Sequence, residues 1–308
     1  MTETHVTVQP EGRPTPGADP ATPGEASAPE KRKISAGRNL PVAIAVGVSL
    51  GAVIVLILVF APHVWILLAS AAIGIAQWEV VKRFRQSGVD LELWPMLIGG
   101  QAIMWLSWPW GTKGVLLAFV ATVVVCLVWR LLHHGPSAPG PTQFTRDSSV
   151  TVFILAWIPL LASFGAMLVL PTNHGPQRVA ALIILVVCSD VGGYASGVLF
   201  GRHPMVPAIS PKKSWEGFAG SLVVGTVGAV LVLQFLFDVQ PLWGLLLGPV
   251  VVFTATLGDL LESQVKRDLG IKDMGTLLPG HGGIMDRLDS LLPSAVVVWT
   301  VLSALLHS

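Results

Sequence analysis

From residue 40 onward the sequence is a succession of apolar runs, each about the length of a bilayer crossing and separated from the next by short polar stretches. A spanning helix needs about 20 mostly apolar residues, with a range of about 17–25. Nine candidate spans result: 40–60, 63–81, 94–110, 114–132, 149–170, 179–200, 217–237, 241–261 and 287–306. The expected fold is an all-α polytopic integral membrane protein of about nine transmembrane helices. Composition points the same way. Charged residues make up 12% of the chain, against about 25% in a soluble domain. The formal net charge of +1 gives no bulk attraction to polyanions, so no nucleic-acid partner is expected. Cys126 and Cys188 both sit inside apolar runs, too few for a disulfide framework and wrongly placed for zinc.

Residues 1–38 are different. They are rich in Pro, Thr, Ala, Gly and Glu, without apolar periodicity, and read as a disordered tail. The remainder divides into N-terminal transmembrane helices, 39–178, and a C-terminal part, 179–308, that holds most of the unusual polar residues. The basic residues set the topology. Lys31, Arg32, Lys33 and Arg38 place the N-terminus in the cytoplasm. Lys82, Arg83, Arg85, Arg130, Arg202, Lys212, Lys213, Lys266, Arg267 and Lys272 then fall on the same side if all nine spans are real. The polar loops 201–216 and 262–286 therefore share the cytoplasmic face of a multi-pass protein, with the cell membrane as its location.

Three stretches carry chemistry. Asp190 ends the apolar run ALIILVVCSD, and a carboxylate at membrane depth is costly enough to be functional by default. Tyr194 shares its helical face, and Gly192, Gly193 and Gly197 permit close helix approach. In Ser210-Pro-Lys-Lys-Ser-Trp-Glu-Gly217, Ser214 is placed to cap a helix starting near Trp215. Lys212 and Lys213 just before it make an anion site, or equally an interfacial anchor. In the third stretch, Asp259, Glu262, Ser263 and Lys266 share one helix face. Arg267, Lys272, Asp273, the turn around His281, Gly282 and Gly283, and then Asp286, Arg287 and Asp289 follow. Hard oxygen ligands suit Mg²⁺, and Asp259 and Asp286 could converge on one ion. The glycine-rich turn lets backbone N–H groups approach a ligand. There is no Walker A loop, no His-Glu-x-x-His and no Gly-x-Ser-x-Gly.

The run from Ser263 through Lys266-Arg267, Lys272-Asp273, Gly275, Pro279-Gly-His281-Gly282-Gly283 and Asp286-Arg287-Leu288-Asp289 closely resembles the signature of the phosphatidate cytidylyltransferases, also called CDP-diacylglycerol synthases. The 210–217 segment and Phe200-Gly201-Arg202-His203 resemble the family as well, and Asp190-Val-Gly-Gly-Tyr194 is a looser match. The close likeness covers about 190–290. It implies the reaction of CTP with phosphatidate to give CDP-diacylglycerol and pyrophosphate, with Mg²⁺ as cofactor and a second, monovalent ion as an open alternative. On this resemblance Asp259 and Asp286 hold metal, assisted by Asp289. Lys266, Arg267 and Arg287 neutralise nucleotide phosphates. Lys212, Lys213 and Ser214 bind phosphate, and His281 with its glycines shapes the phosphate loop. Asp190, Ser210, Glu262, Ser263, Lys272 and Asp273 complete the expected substrate site. The expected partners are CTP, phosphatidate and membrane lipids, and a homodimer is an open alternative. Other readings are a CTP-dependent polyprenol kinase, a cytidylyltransferase for another lipid phosphate and, more remotely, a secondary transporter.

Overall fold

The structure is a computed structural model that describes residues 40–133, 143–170, 174–277 and 282–306. The 1–38 tail and His281 lie outside the described residues. The helices are α1 (Leu40–Phe60), α2 (Val64–Gln86), α3 (Leu93–His133), α4 (Phe144–Leu155), α5 (Leu161–Met167), α6 (Gly175–Phe200), α7 (Trp215–Phe237), α8 (Gly244–Asp268), α9 (Met285–Leu288) and α10 (Leu291–Leu306). Between α6 and α7 lies an antiparallel pair of short strands, β1 (Pro204–Val206) and β2 (Ser210–Ser214). The fold is all-α and polytopic, as expected. Its helices leave large apolar side chains such as Phe235, Phe253 and Val120 facing outward. Such a belt is a liability in water and the normal surface in lipid.

Among the described residues, seven helical stretches are long and apolar enough to cross a membrane. The expected count was nine, and two places account for the difference. The runs 94–110 and 114–132 are two helices that meet at Gly111 and are counted together as one 41-residue element, α3. Drawn straight it would reach about 60 Å, roughly twice the hydrocarbon thickness of about 30 Å. It is not straight, because Gly111 adopts φ 54°, ψ −139°. The two arms fold back on each other: Arg130 Nε lies 2.7 Å from Glu92 Oε1, and a Cβ at Gly99 would collide with Thr122. The second place is the first run, which is helical over its expected length as α1, Leu40–Phe60, but is not among the seven. Arg130, read from sequence as a surface topology charge, is buried, and it also donates to the Asp90 carbonyl.

α4 and α5 are continuous through a single π turn, Ala156–Leu160. Pro159 explains it, because a proline lacks the N–H and crowds the carbonyl four residues back, and a widened turn relieves both. Packing also joins the two halves of the chain. One core cluster combines Ile66, Val80 and Ile154 with Val265, Met274 and Met285.

α6 and α7 cross at close range. A Cβ at Gly192 would lie 2.7 Å from the Gly220 carbonyl, and one at Gly217 would lie 3.0 Å from the Gly193 carbonyl. Small residues permit this approach, and Ser221 Oγ seals it by donating to the Ser189 carbonyl at 2.7 Å. α8 continues past the expected boundary at 261 to Asp268, so the start of the expected 262–286 loop is helical. Side-chain pairs one turn apart support those polar turns: Ser263 with Asp259, Lys266 with Glu262, Gln264 with Asp268. Gly270, at φ 66°, ends the helix. Ile271 N–H bonds back to the Lys266 carbonyl at 2.9 Å and Gly270 N–H to that of Arg267 at 3.0 Å, which satisfies the last carbonyls.

Candidate active site

A cavity of about 500 Å³ opens between α6, the β1–β2 hairpin, α7, α8 and the segment leading into α10. Each element except α7 delivers charge to it. α6 supplies Asp190, ten residues before the helix ends at Phe200, and Tyr194 one turn on. β2 supplies Lys212 and Lys213 and ends in Ser214, whose Oγ accepts the Gly217 N–H at 3.1 Å and so caps α7 as expected. α8 supplies Asp259 and Lys266; Asp273, Asp286, Arg287 and Asp289 complete the wall.

The charges are paired. Lys213 Nζ lies 2.5 Å from Asp259 Oδ2, and Ser263 Oγ donates to the other oxygen of Asp259 at 3.3 Å. Lys266 Nζ bridges Glu262 Oε2 at 2.7 Å and Asp286 Oδ1 at 2.5 Å. Glu262 itself is fully buried behind the cavity wall. Asp286 also accepts the N–H of Gly283 at 2.6 Å and of Met274 at 3.1 Å. Its carboxylate thus fastens the start of α9 to the turn after α8. Asp190, Asp259 and Asp289 lie within electrostatic reach of one another. Among the described residues, no three His, Cys, Asp or Glu side chains are placed to hold a metal ion unaided.

Not every expected residue lines this cavity. Arg267 is exposed and donates to the Ile209 carbonyl at 3.2 Å, holding the hairpin. Ser210 begins β2 opposite Val206, and Lys272 is exposed on the turn. Gly282 and Gly283 lie behind Asp286. Gly282 has φ 84°, and a Cβ there would come 2.7 Å from Asp286 Oδ2. Glu216, unremarked in the sequence, accepts the backbone N–H groups of Arg202 and His203 and closes the hairpin onto α7.

Sequence reasoning missed a contribution from α2. Glu79 is buried, and its Oε2 accepts the Met285 N–H at 3.1 Å. Arg83 Nε donates to the Met274 carbonyl at 2.8 Å. Gly275 and Gly283 pack against the Glu79 carboxylate so closely that neither position admits a side chain without a shift. α2 therefore grips both ends of the 274–285 segment. The rule that singled out Asp190, a carboxylate inside an apolar span, applies equally to Glu79.

The fold and the cavity define a polytopic membrane protein with a densely charged site that carries both carboxylates and basic side chains. The chain belongs to the Cytidylyltransferase family, whose match covers residues 41–305. It is 58% identical over 280 residues to the phosphatidate cytidylyltransferase of Mycobacterium leprae, covering 88% of this chain and 89% of that protein. The protein of the same name from Mycobacterium tuberculosis is 52% identical over 307 residues, covering 97% and 93%. That from Haemophilus influenzae is 31% identical over 268 residues, covering 79% and 91%.

Proposed function

We propose that this chain is a phosphatidate cytidylyltransferase, transferring the cytidylyl group of CTP to phosphatidate to give CDP-diacylglycerol and pyrophosphate. The observation that carries the reading is the cavity itself. Lys212, Lys213, Lys266 and Arg287 face one space of about 500 Å³ that reaches from the polar hairpin to Asp190 inside the helix bundle. A lipid phosphate and a water-soluble triphosphate have to meet at such a boundary. A phosphatidate oxygen attacks the α-phosphorus of CTP, the bond from that phosphorus to the bridging β-phosphate oxygen breaks, and pyrophosphate leaves with the bonding electrons. No protein nucleophile is required, so positioning and charge neutralisation supply the catalysis.

The carboxylates fit Mg²⁺, which usually takes one or two protein carboxylates and fills its other positions with water and phosphate oxygens. One or two of Asp259, Asp286 and Asp289 would hold it, with water and phosphate oxygens as the remaining ligands, and when bound it would neutralise phosphate charge. Lys213 and Lys266 are held at the wall by their carboxylate partners, with their ammonium groups at the cavity. Arg287 adds a planar donor for phosphate oxygens. The active face is assigned to the cytoplasm of the cell membrane. The Arg83–Met274 bond sets the basic end of α2, with Lys82 and Arg85, beside the site, and basic residues favour the cytoplasmic side.

The test uses purified protein with phosphatidate, CTP and Mg²⁺, alongside Asp259→Asn. CDP-diacylglycerol and pyrophosphate in equal amounts, lost in the variant, support the reading. Release of CDP with a phosphorylated lipid would instead indicate a kinase.

A further inference from the structure

A second cavity, of about 220 Å³, lies among α1, α2, α5, α6 and α10. Every lining residue is apolar or glycine except Arg287, and Arg287 also lines the charged cavity. A purely apolar void of this size stays dry and takes apolar ligands; an engineered one of about 150 Å³ binds benzene. We propose that this cavity is the slot for an acyl chain of the lipid substrate, with Arg287 at its mouth holding the lipid phosphate. The inference rests on the cytidylyltransferase reading and adds the part of the substrate that the slot recognises.

Three observations support it. The first is proximity: Arg287 lines both cavities, so a phosphate it holds in the charged one leaves the glycerol and acyl chains within reach of the apolar one. The second is composition. Trp65, Ala69, Ala72, Gly165, Leu182 and Leu288 offer no hydrogen-bonding group that a polar occupant would need, apart from the Trp65 indole N–H, which already donates to the Gly165 carbonyl at 3.3 Å. The third is the provision of space by small residues on two facing elements: Ala69 and Ala72 on α2, Ala162 and Gly165 on α5. A Cβ on Gly165 would meet only Ala295, at 3.6 Å, an ordinary contact. The glycine is therefore not demanded by helix packing, and a larger side chain there grows into the slot.

The experiment compares dioleoyl- and dihexanoyl-phosphatidate in wild type, Gly165→Leu and Ala72→Leu, which fill the slot from opposite walls. The KM for the long-chain lipid should rise about tenfold, the equivalent of losing about two buried methylene groups. The KM for CTP and turnover of the short-chain lipid should not change. Quenching of Trp65 by phosphatidate with brominated acyl chains, read as wild type minus Trp65→Phe, reports occupancy without turnover. It should exceed that from brominated phosphatidylcholine. Equal effects on both lipids in both variants, or no excess quenching by phosphatidate, overturn the slot. A wild type that makes no CDP-diacylglycerol from either lipid overturns the cytidylyltransferase reading instead.

Discussion

Replacing Lys266 by Met tests whether the wall of the charged cavity is held together by its own ion pairs. The ammonium lies 2.7 Å from Glu262 and 2.5 Å from Asp286, whose side chains are 1% and 4% exposed. Methionine keeps most of the stem volume and removes the charge. Asp286 retains the N–H groups of Met274 and Gly283, while Glu262 Oε1 already lacks a hydrogen-bond partner among the described residues. Removing one member of a buried ion pair costs about 3–5 kcal/mol. At about 2 °C per kcal/mol for a chain of this size, the unfolding midpoint falls by about 6–10 °C. The assay is thermal unfolding of ligand-free protein in detergent, followed by tryptophan fluorescence. Adding Glu262→Gln to Lys266→Met removes one of the two stranded charges and should recover about half of the loss, a coupling measurable as a double-mutant cycle. If Lys266 served only as a phosphate ligand, the ligand-free midpoint would match wild type and only CTP binding would suffer. That result would refute the reasoning.

Other expectations follow from the same geometry. Glu79→Ala strands the buried Met285 N–H. Loss of a hydrogen bond to a charged acceptor is worth about 1.5–3 kcal/mol, so the unfolding midpoint should fall by about 3–6 °C and turnover should fall with it. Glu79→Gln, which keeps an acceptor, should recover most of both losses; the midpoint and initial rates at saturating CTP decide. Gly220→Val places a Cβ 2.7 Å from the Gly192 carbonyl and against Ser196. Overpacking of about 1–3 kcal/mol should lower both the unfolding midpoint and activity, because α6 carries Asp190. Ser214→Ala removes the α7 cap and should cost about 1 kcal/mol, seen as a drop of about 2 °C in the midpoint.

The sequence disclosed the membrane fold because hydropathy is local, and a run of 20 apolar residues announces itself without reference to any other part of the chain. It disclosed Asp259 and Lys266, at helical spacing, and Asp286, farther along the same dense stretch, because all three are charged residues close together in the chain. It disclosed the two arms of α3 as separate runs, 94–110 and 114–132, but neither the Gly111 backbone that makes the turn nor the Glu92–Arg130 pair that joins the arms. Nor did it show that Arg267 and Lys272 turn away from the cavity. Both carry charge in the right stretch, but the direction of each is set by where α8 ends, and that end is fixed by Gly270 and by side-chain pairs that extend the helix past its apolar part.

The residues hardest to read were those whose meaning lies in a distant partner. A charge within a span is costly alone and tolerable when paired, so each one poses a question that only the fold answers. Arg130 looked like a topology signal and is the partner of Glu92. Lys213 looked like either an anchor or an anion site, and its place against Asp259 puts it at the cavity. Glu79 drew no notice because its neighbours in sequence, Trp78 and Val80, belong to an ordinary apolar helix. Its partners, the Met285 N–H and the tightly packed Gly275 and Gly283, come from the far end of the chain. The chemistry-bearing stretch is therefore not a self-sufficient motif. α2 holds its ends in place, and the family match, which covers residues 41–305, includes that helix.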